Sequence, residues 1–104
     1  MTTERERSPN RRASQQLAFE CNELKYVATI SFFPDGRLAE IFLGNAKAGS
    51  DSDSAAKDSA VVASIALQYG APAETLRRAL LRDPHGVASS PLGAALDLIA
   101  GAST

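Results

Sequence analysis

Two runs of alternating residues enclosing Pro34-Asp35-Gly36, followed by a loop of small residues and a long alanine-rich segment, set the terms for the whole chain. In the first run Tyr26, Ala28, Ile30 and Phe32 alternate with Val27, Thr29 and Ser31, the period-two pattern of a strand with one face more apolar than the other. Pro34 pre-sets a turn. Asp35-Gly36 completes it, because glycine tolerates positive φ and the aspartate side chain can bond its own backbone. Residues 38–43 are therefore expected to return antiparallel to the first run.

The flanks extend this unit. Residues 16–21 read as an earlier strand, with Leu17, Phe19 and Cys21 on one side and Ala18 and Glu20 on the other, and Asn22-Glu23 is a short polar turn. Three strands joined by short turns form a meander, the topology that costs least loop entropy. The third strand is apolar on both sides, Leu38 and Phe42 on one, Ala39, Ile41 and Leu43 on the other, so it is expected to lie centrally in its sheet or to meet a second chain.

Residues 46–54 are types that favour caps and turns, so Asp53 or Ser54 is expected to cap a helix running to about Tyr69. Its Val61, Val62, Ile65, Ala66 and Tyr69 recur at helical spacing and are expected to pack on the sheet. Gly70 ends it. Pro72 then opens a second helix over residues 72–81 that turns Leu76, Ala79 and Leu80 inward and Glu74, Arg77 and Arg78 outward. After Asp83-Pro84-His85-Gly86, Ser89 or Ser90 caps a third helix that begins at Pro91, carries Leu92, Leu96 and Ile99 inward and ends before Gly101. The expected fold class is α+β: a three-stranded antiparallel meander followed by two or three helices packed on one face. It occupies residues 15–101, with residues 1–14 as a mobile basic arm and 102–104 as a short tail.

Charge and composition remove several functions. A formal net charge of −1, from 11 basic and 12 acidic side chains, provides no overall field for phosphates, so nucleic acid is not an expected partner. The single cysteine, Cys21, excludes an internal disulfide or a thiolate cluster, and with the single histidine, His85, supplies at most two soft metal ligands. No stretch approaches the ~20 apolar residues of a membrane span. A cytoplasmic protein with no membrane partner is expected.

The stretch that best suits a small anion is a loop: Lys47, Gly49 and Ser50 precede a helix start, where free N–H groups and the helix dipole favour negative charge. Arg77 and Arg78 could add cations to a nucleotide phosphate site. Asp51 and Asp53 oppose this by placing carboxylates in the same turn, which makes ordinary helix capping the competing assignment. Cys21 lies far in sequence from His85, the only candidate base of its kind, so packing rather than nucleophilic chemistry is its expected role.

Three segments also occur in a familiar order: PDGRLAEIFL at residues 34–43, AKAGS at 46–50 and SIALQYGAP at 64–72. Together they resemble the TSCPD-type domain near the C-terminus of vitamin B12-dependent (class II) ribonucleotide reductases, in which a DGxxxEIF strand, a K-x-G-S loop and a SLALQYGVP helix end follow one another at similar spacing. The resemblance spans roughly residues 11–100, and Arg11-Arg12 resembles the basic approach to the first strand of that domain. It implies a place in deoxyribonucleotide synthesis, with ribonucleoside-diphosphate reductase as the parent activity. Cobalamin is implied only for the full-length relatives, not as a cofactor of this chain. The large barrel, the radical cysteine, the reducing cysteine pair and the cysteine-rich motif have no counterpart in this sequence. The resemblance therefore implies a stand-alone accessory or regulatory domain, not catalytic alone, that docks on a reductase or another protein of nucleotide metabolism, or on a second copy of itself. A nucleotide- or phosphate-binding module is the alternative. A reductase using Cys21 is the remaining possibility, disfavoured because one cysteine cannot be both radical thiol and reducing pair.

Overall fold

The computed structural model describes residues 4–6 and 14–102. Its elements are β1 (Gln15–Cys21), β2 (Leu24–Phe32), β3 (Leu38–Asn45), α1 (Asp51–Gln68), α2 (Ala73–Ala79) and α3 (Pro91–Ala102). The strands form one antiparallel sheet in the order β1-β2-β3, so the α+β meander followed by helices is the observed fold. A two-residue turn joins β1 to β2, with Asn22 and Glu23 both at positive φ (52° and 67°), the twist that suits a tight hairpin. In the second turn Gly36 takes φ 95°, and Asp35 accepts from the Arg37 N–H as an Asx bond.

One face of the sheet carries Tyr26, Ala28, Ile30, Ile41, Leu43 and Cys21, and against it lie Leu92, Ala95 and Leu96 of α3 and Ala56, Ala60 and Ala63 of α1. Ile41 is fully buried, which contributes about 1.5–3 kcal/mol relative to exposure. Leu38 reaches this core because the β2–β3 register shifts between Ser31 and Phe32, so that Phe32 pairs with Leu38 and the alternation resets. The third strand is thus not central. It is an edge strand covered by α1.

The way α1 covers that edge corrects the expected packing. Val61, Val62 and Ile65 are exposed, and the buried positions are Asp53, Ala56, Ala60, Ala63, Ser64, Leu67 and Gln68. Ser64 Oγ donates to the Ile41 carbonyl at 2.8 Å and accepts from the Ile41 N–H at 2.9 Å. Gln68 Nε2 reaches the Ala39 carbonyl at 3.4 Å, and Asp53 Oδ1 accepts from the Asn45 N–H at 2.9 Å. The steps match. Four helical residues rise about 6 Å and two strand residues about 6.8 Å, so Ser64 and Gln68 keep pace with Ile41 and Ala39 as α1 runs back along β3. Such bonds require the helix axis close to the strand, which alanine and serine permit and valine does not. The small residues therefore take the inner face, and the larger apolar ones are left outside.

Smaller corrections concern ends and faces. The N-cap of α1 is Ser50 rather than Asp53 or Ser54, its hydroxyl accepting from the Asp53 N–H. The second helix is shorter than expected, ending at Ala79, which is exposed rather than inward, and Arg82 lies beyond it in a bridge with Ala88. The third helix begins as expected, with Ser90 accepting from the Gly93 N–H, but runs through Gly101 to Ala102. Of the N-terminal arm, Glu6 donates its N–H to the Gln68 carbonyl and pairs with Arg37 at 2.9 Å. Arg11 and Arg12 lie outside the described residues.

Candidate docking face

The side of the sheet opposite α3 is the functional candidate. Alternation sends Ala18, Val27 and Gly44 to this side as one cross-strand row, and Gln16, Thr29 and Phe42 as the next. All of these but Gln16 line a groove of about 760 Å³ together with Glu20 and Lys25, which face each other across β1 and β2. Val27 is 43% exposed and Phe42 46%. A half-exposed phenylalanine beside a valine on a sheet face is the kind of apolar surface that protein partners cover.

The face continues onto α1. A Cβ placed on Gly44 would lie 3.9 Å from Lys57 Cε and 4.0 Å from Asp53 Oδ1, so this flank of the helix adjoins the open side of the sheet. Val61 and Ile65 follow Lys57 at successive four-residue steps on that flank, and both are exposed. At the other end the face is closed: Ser31 is buried and its hydroxyl donates to Glu40 at 3.1 Å. There Arg37 stacks over Phe33 with its guanidinium carbon 4.6 Å from the ring centroid.

The loop before α1 brings Lys47, Gly49 and Ser50 together, as the sequence suggests, and Asp53 occupies its centre. The Asp53 carboxylate accepts from the Gly49 N–H at 2.9 Å, from the Asn45 N–H and from Lys57 Nζ at 2.8 Å. The Lys57 ammonium and these two N–H groups hold its carboxyl well below the ordinary range, at about 2. Ser50 Oγ donates to the Lys47 carbonyl, and the Lys47 N–H is taken by Asn45 Oδ1 at 2.6 Å. An incoming phosphate would compete with an internal anion for these donors.

Arg77 and Arg78 are not part of that loop. Both bond Glu74, and Arg77 also reaches Asp97 at 3.2 Å, which Arg82 holds at 2.6 Å. Glu74 is drawn down to about 2 by the two arginines, and Asp97 is lowered first by Arg82. These charges staple α2 to α3. Arg77 also borders a second groove of about 450 Å³ on the core side, with Leu17, Phe32, Leu96 and Ile99. Cys21 is buried and its thiol is pushed up by desolvation, which disfavours the thiolate. His85 lies exposed in the loop after Arg82. Among the described residues no group of three or more His, Cys, Asp or Glu is placed to hold a metal ion, and no helix is long and apolar enough to cross a membrane.

Sequence reasoning reached the individual residues of the open face but not the face itself. The available signal was Phe42, a large aromatic out of phase with Ile41 and Leu43 on a strand already apolar on its other side. Comparison with protein-family models, curated proteins and solved structures gives no significant match.

Proposed function

We propose that this chain is a docking domain: an accessory or regulatory piece akin to the TSCPD-type domain of vitamin B12-dependent ribonucleotide reductases, which binds a cytoplasmic protein of deoxyribonucleotide synthesis through the open face of its sheet. The observation that carries the reading is the exposed Val27 and Phe42 over a groove whose rim bears Glu20 and Lys25. An apolar centre with a charged rim is the anatomy of a protein interface. The segments PDGRLAEIFL, AKAGS and SIALQYGAP support the choice of partner, and each also has a local structural role. The first makes the turn and β3, the second the loop into α1, and the third the helix end whose Ser64 and Gln68 bond β3. Radical or thiol chemistry is assigned to the partner, since the only cysteine here is buried.

The alternative, a nucleotide-phosphate site at Lys47, Gly49 and Ser50, requires Asp53 to release the Gly49 N–H. The two readings separate in one experiment. The immobilised chain is used to capture proteins from native extract in parallel with Phe42→Asp, and amide shifts are followed during titration with nucleoside diphosphates and triphosphates. Docking predicts that a ribonucleotide reductase or another enzyme of nucleotide metabolism is retained by the native chain and lost with Phe42→Asp, while the Gly49 and Ser50 signals stay in place. Capture unaffected by Phe42→Asp, or no such enzyme at all, contradicts it.

A further inference from the structure

The two edges of the sheet are treated differently. Along β3 the outward backbone groups of Ala39, Ile41 and Asn45 are met by Gln68, Ser64 and Asp53. The β1 edge has no such cover among the described residues. The Cys21–Leu24 pair closes a two-residue hairpin, so it exchanges the turn's hydrogen bonds, and every second pair does the same: Phe19 with Tyr26, Leu17 with Ala28, Gln15 with Ile30. The N–H and C=O of Gln16, Ala18 and Glu20 therefore point away from the sheet. The same phase holds on the far side, where the Ile41 N–H turns outward to Ser64 and its neighbour across the ladder is Ile30. Edges of this kind are normally blunted by proline, by charged side chains, lysine above all, or by a bulge, and β1, reading QQLAFEC, has a single charge, Glu20, and no proline, lysine or bulge.

We infer that β1 pairs with β1 of a second copy of this chain about a twofold axis at Ala18, joining the two sheets into one antiparallel sheet of six strands. This is the register that pairs all seven residues of β1. It sets Ala18 opposite Ala18, Leu17 opposite Phe19, Gln16 opposite Glu20 and Gln15 opposite Cys21 of the second copy. Ala18 meets Ala18 and Leu17 meets Phe19, the Gln16 amide can donate to the Glu20 carboxylate, and no like charges oppose each other. Moving the axis to Glu20 would set Glu20 against Glu20 and leave most of the strand unpaired. Leu17 and Phe19, both only partly buried against the core of their own chain, become covered along the seam. The axis runs perpendicular to the sheet, so the grooves containing Val27 and Phe42 of the two copies lie on the same side. The pairing itself does not depend on what docks there.

The full-length chain tests this by sedimentation velocity across a concentration series, with amide hydrogen exchange at each end of the series. The expected result is a mass rising from 10.9 kDa toward twice that value, with slowed exchange at Gln16, Ala18 and Glu20 in the larger species. Ala18→Pro removes an outward N–H that bonds nothing among the described residues, so it leaves the monomer's ladder intact and abolishes the dimer. Should that variant unfold, Gln16→Lys and Gln16→Glu keep the question decidable: facing Glu20 of the second copy, lysine tightens association and glutamate weakens it, each more so at low salt. A monomer throughout the series overturns the inference, as does a dimer whose β1 amides exchange freely, or one indifferent to the charge placed at Gln16.

Discussion

Replacing Ser64 by alanine isolates the bond pair that fixes α1 to the sheet. The hydroxyl is the partner of both the N–H and the C=O of Ile41, at 2.9 and 2.8 Å, and it is 4% exposed. Alanine is nearly the same size, so little cavity forms, but one donor and one acceptor lose their partner in a place where water cannot easily replace it. Each buried orphan costs about 1–3 kcal/mol. Alanine's better helix propensity returns about 0.5 kcal/mol, so the net loss is about 1.5–5.5 kcal/mol, a large share of the roughly 5–15 kcal/mol of a whole domain. Urea unfolding followed by far-UV circular dichroism measures the loss, and native-state exchange should show the Ile41 amide deprotected out of proportion to its neighbours. Ser59→Ala is the control, because that hydroxyl bonds only the Ala56 carbonyl of its own helix at 2.8 Å. If Ser64→Ala costs no more than Ser59→Ala, or Ile41 exchanges as before, the account of how the edge is covered is wrong.

The inverted face of α1 gives a paired test by thermal unfolding: Ala60→Val overpacks the contact with β3 and costs about 1–3 kcal/mol, whereas Val62→Ala, on the exposed side, stays within about 0.5 kcal/mol of the parent. Acid should weaken the fold through Asp53. Its carboxyl sits at about 2 in the folded chain against an ordinary 3.8, so its contribution is complete above pH 4 and is lost as pH falls toward 2. Asp53→Asn should flatten that part of a stability-against-pH curve, and an unchanged slope would refute the loop assignment. In the second turn, Gly36→Ala meets no steric neighbour but must hold φ near 95°, so a loss of about 1–2 kcal/mol in urea unfolding is expected from backbone strain alone.

The strands were legible because their signals are local. Alternation, the Asn22-Glu23 and Pro34-Asp35-Gly36 turns, and the proline and serine at the start of α3 each act within a few residues, and the observed sheet and helices follow them closely. The burial of α1 was not legible from hydrophobicity, because the deciding factor is an approach distance. Ser64 and Gln68 read as ordinary polar positions until β3 is seen to present unpaired backbone groups at the same spacing. Asp53 misleads for a related reason, since a carboxylate in a first turn suggests a cap while here it ties the loop to β3 as well. The docking face depends on a non-local fact, that α3 and α1 occupy the other side and the edge, which leaves Val27 and Phe42 uncovered. No window of sequence contains that information.

Photo-cross-linking from position 42 in native extract, with position 87 as the comparison because Val87 is also well exposed but lies off the sheet, tests the docking claim most directly. The account predicts a cross-link from position 42 to a ribonucleotide reductase or another nucleotide-metabolism enzyme, and none to that protein from position 87. Equal yields from both positions, or no such product from position 42, would contradict it.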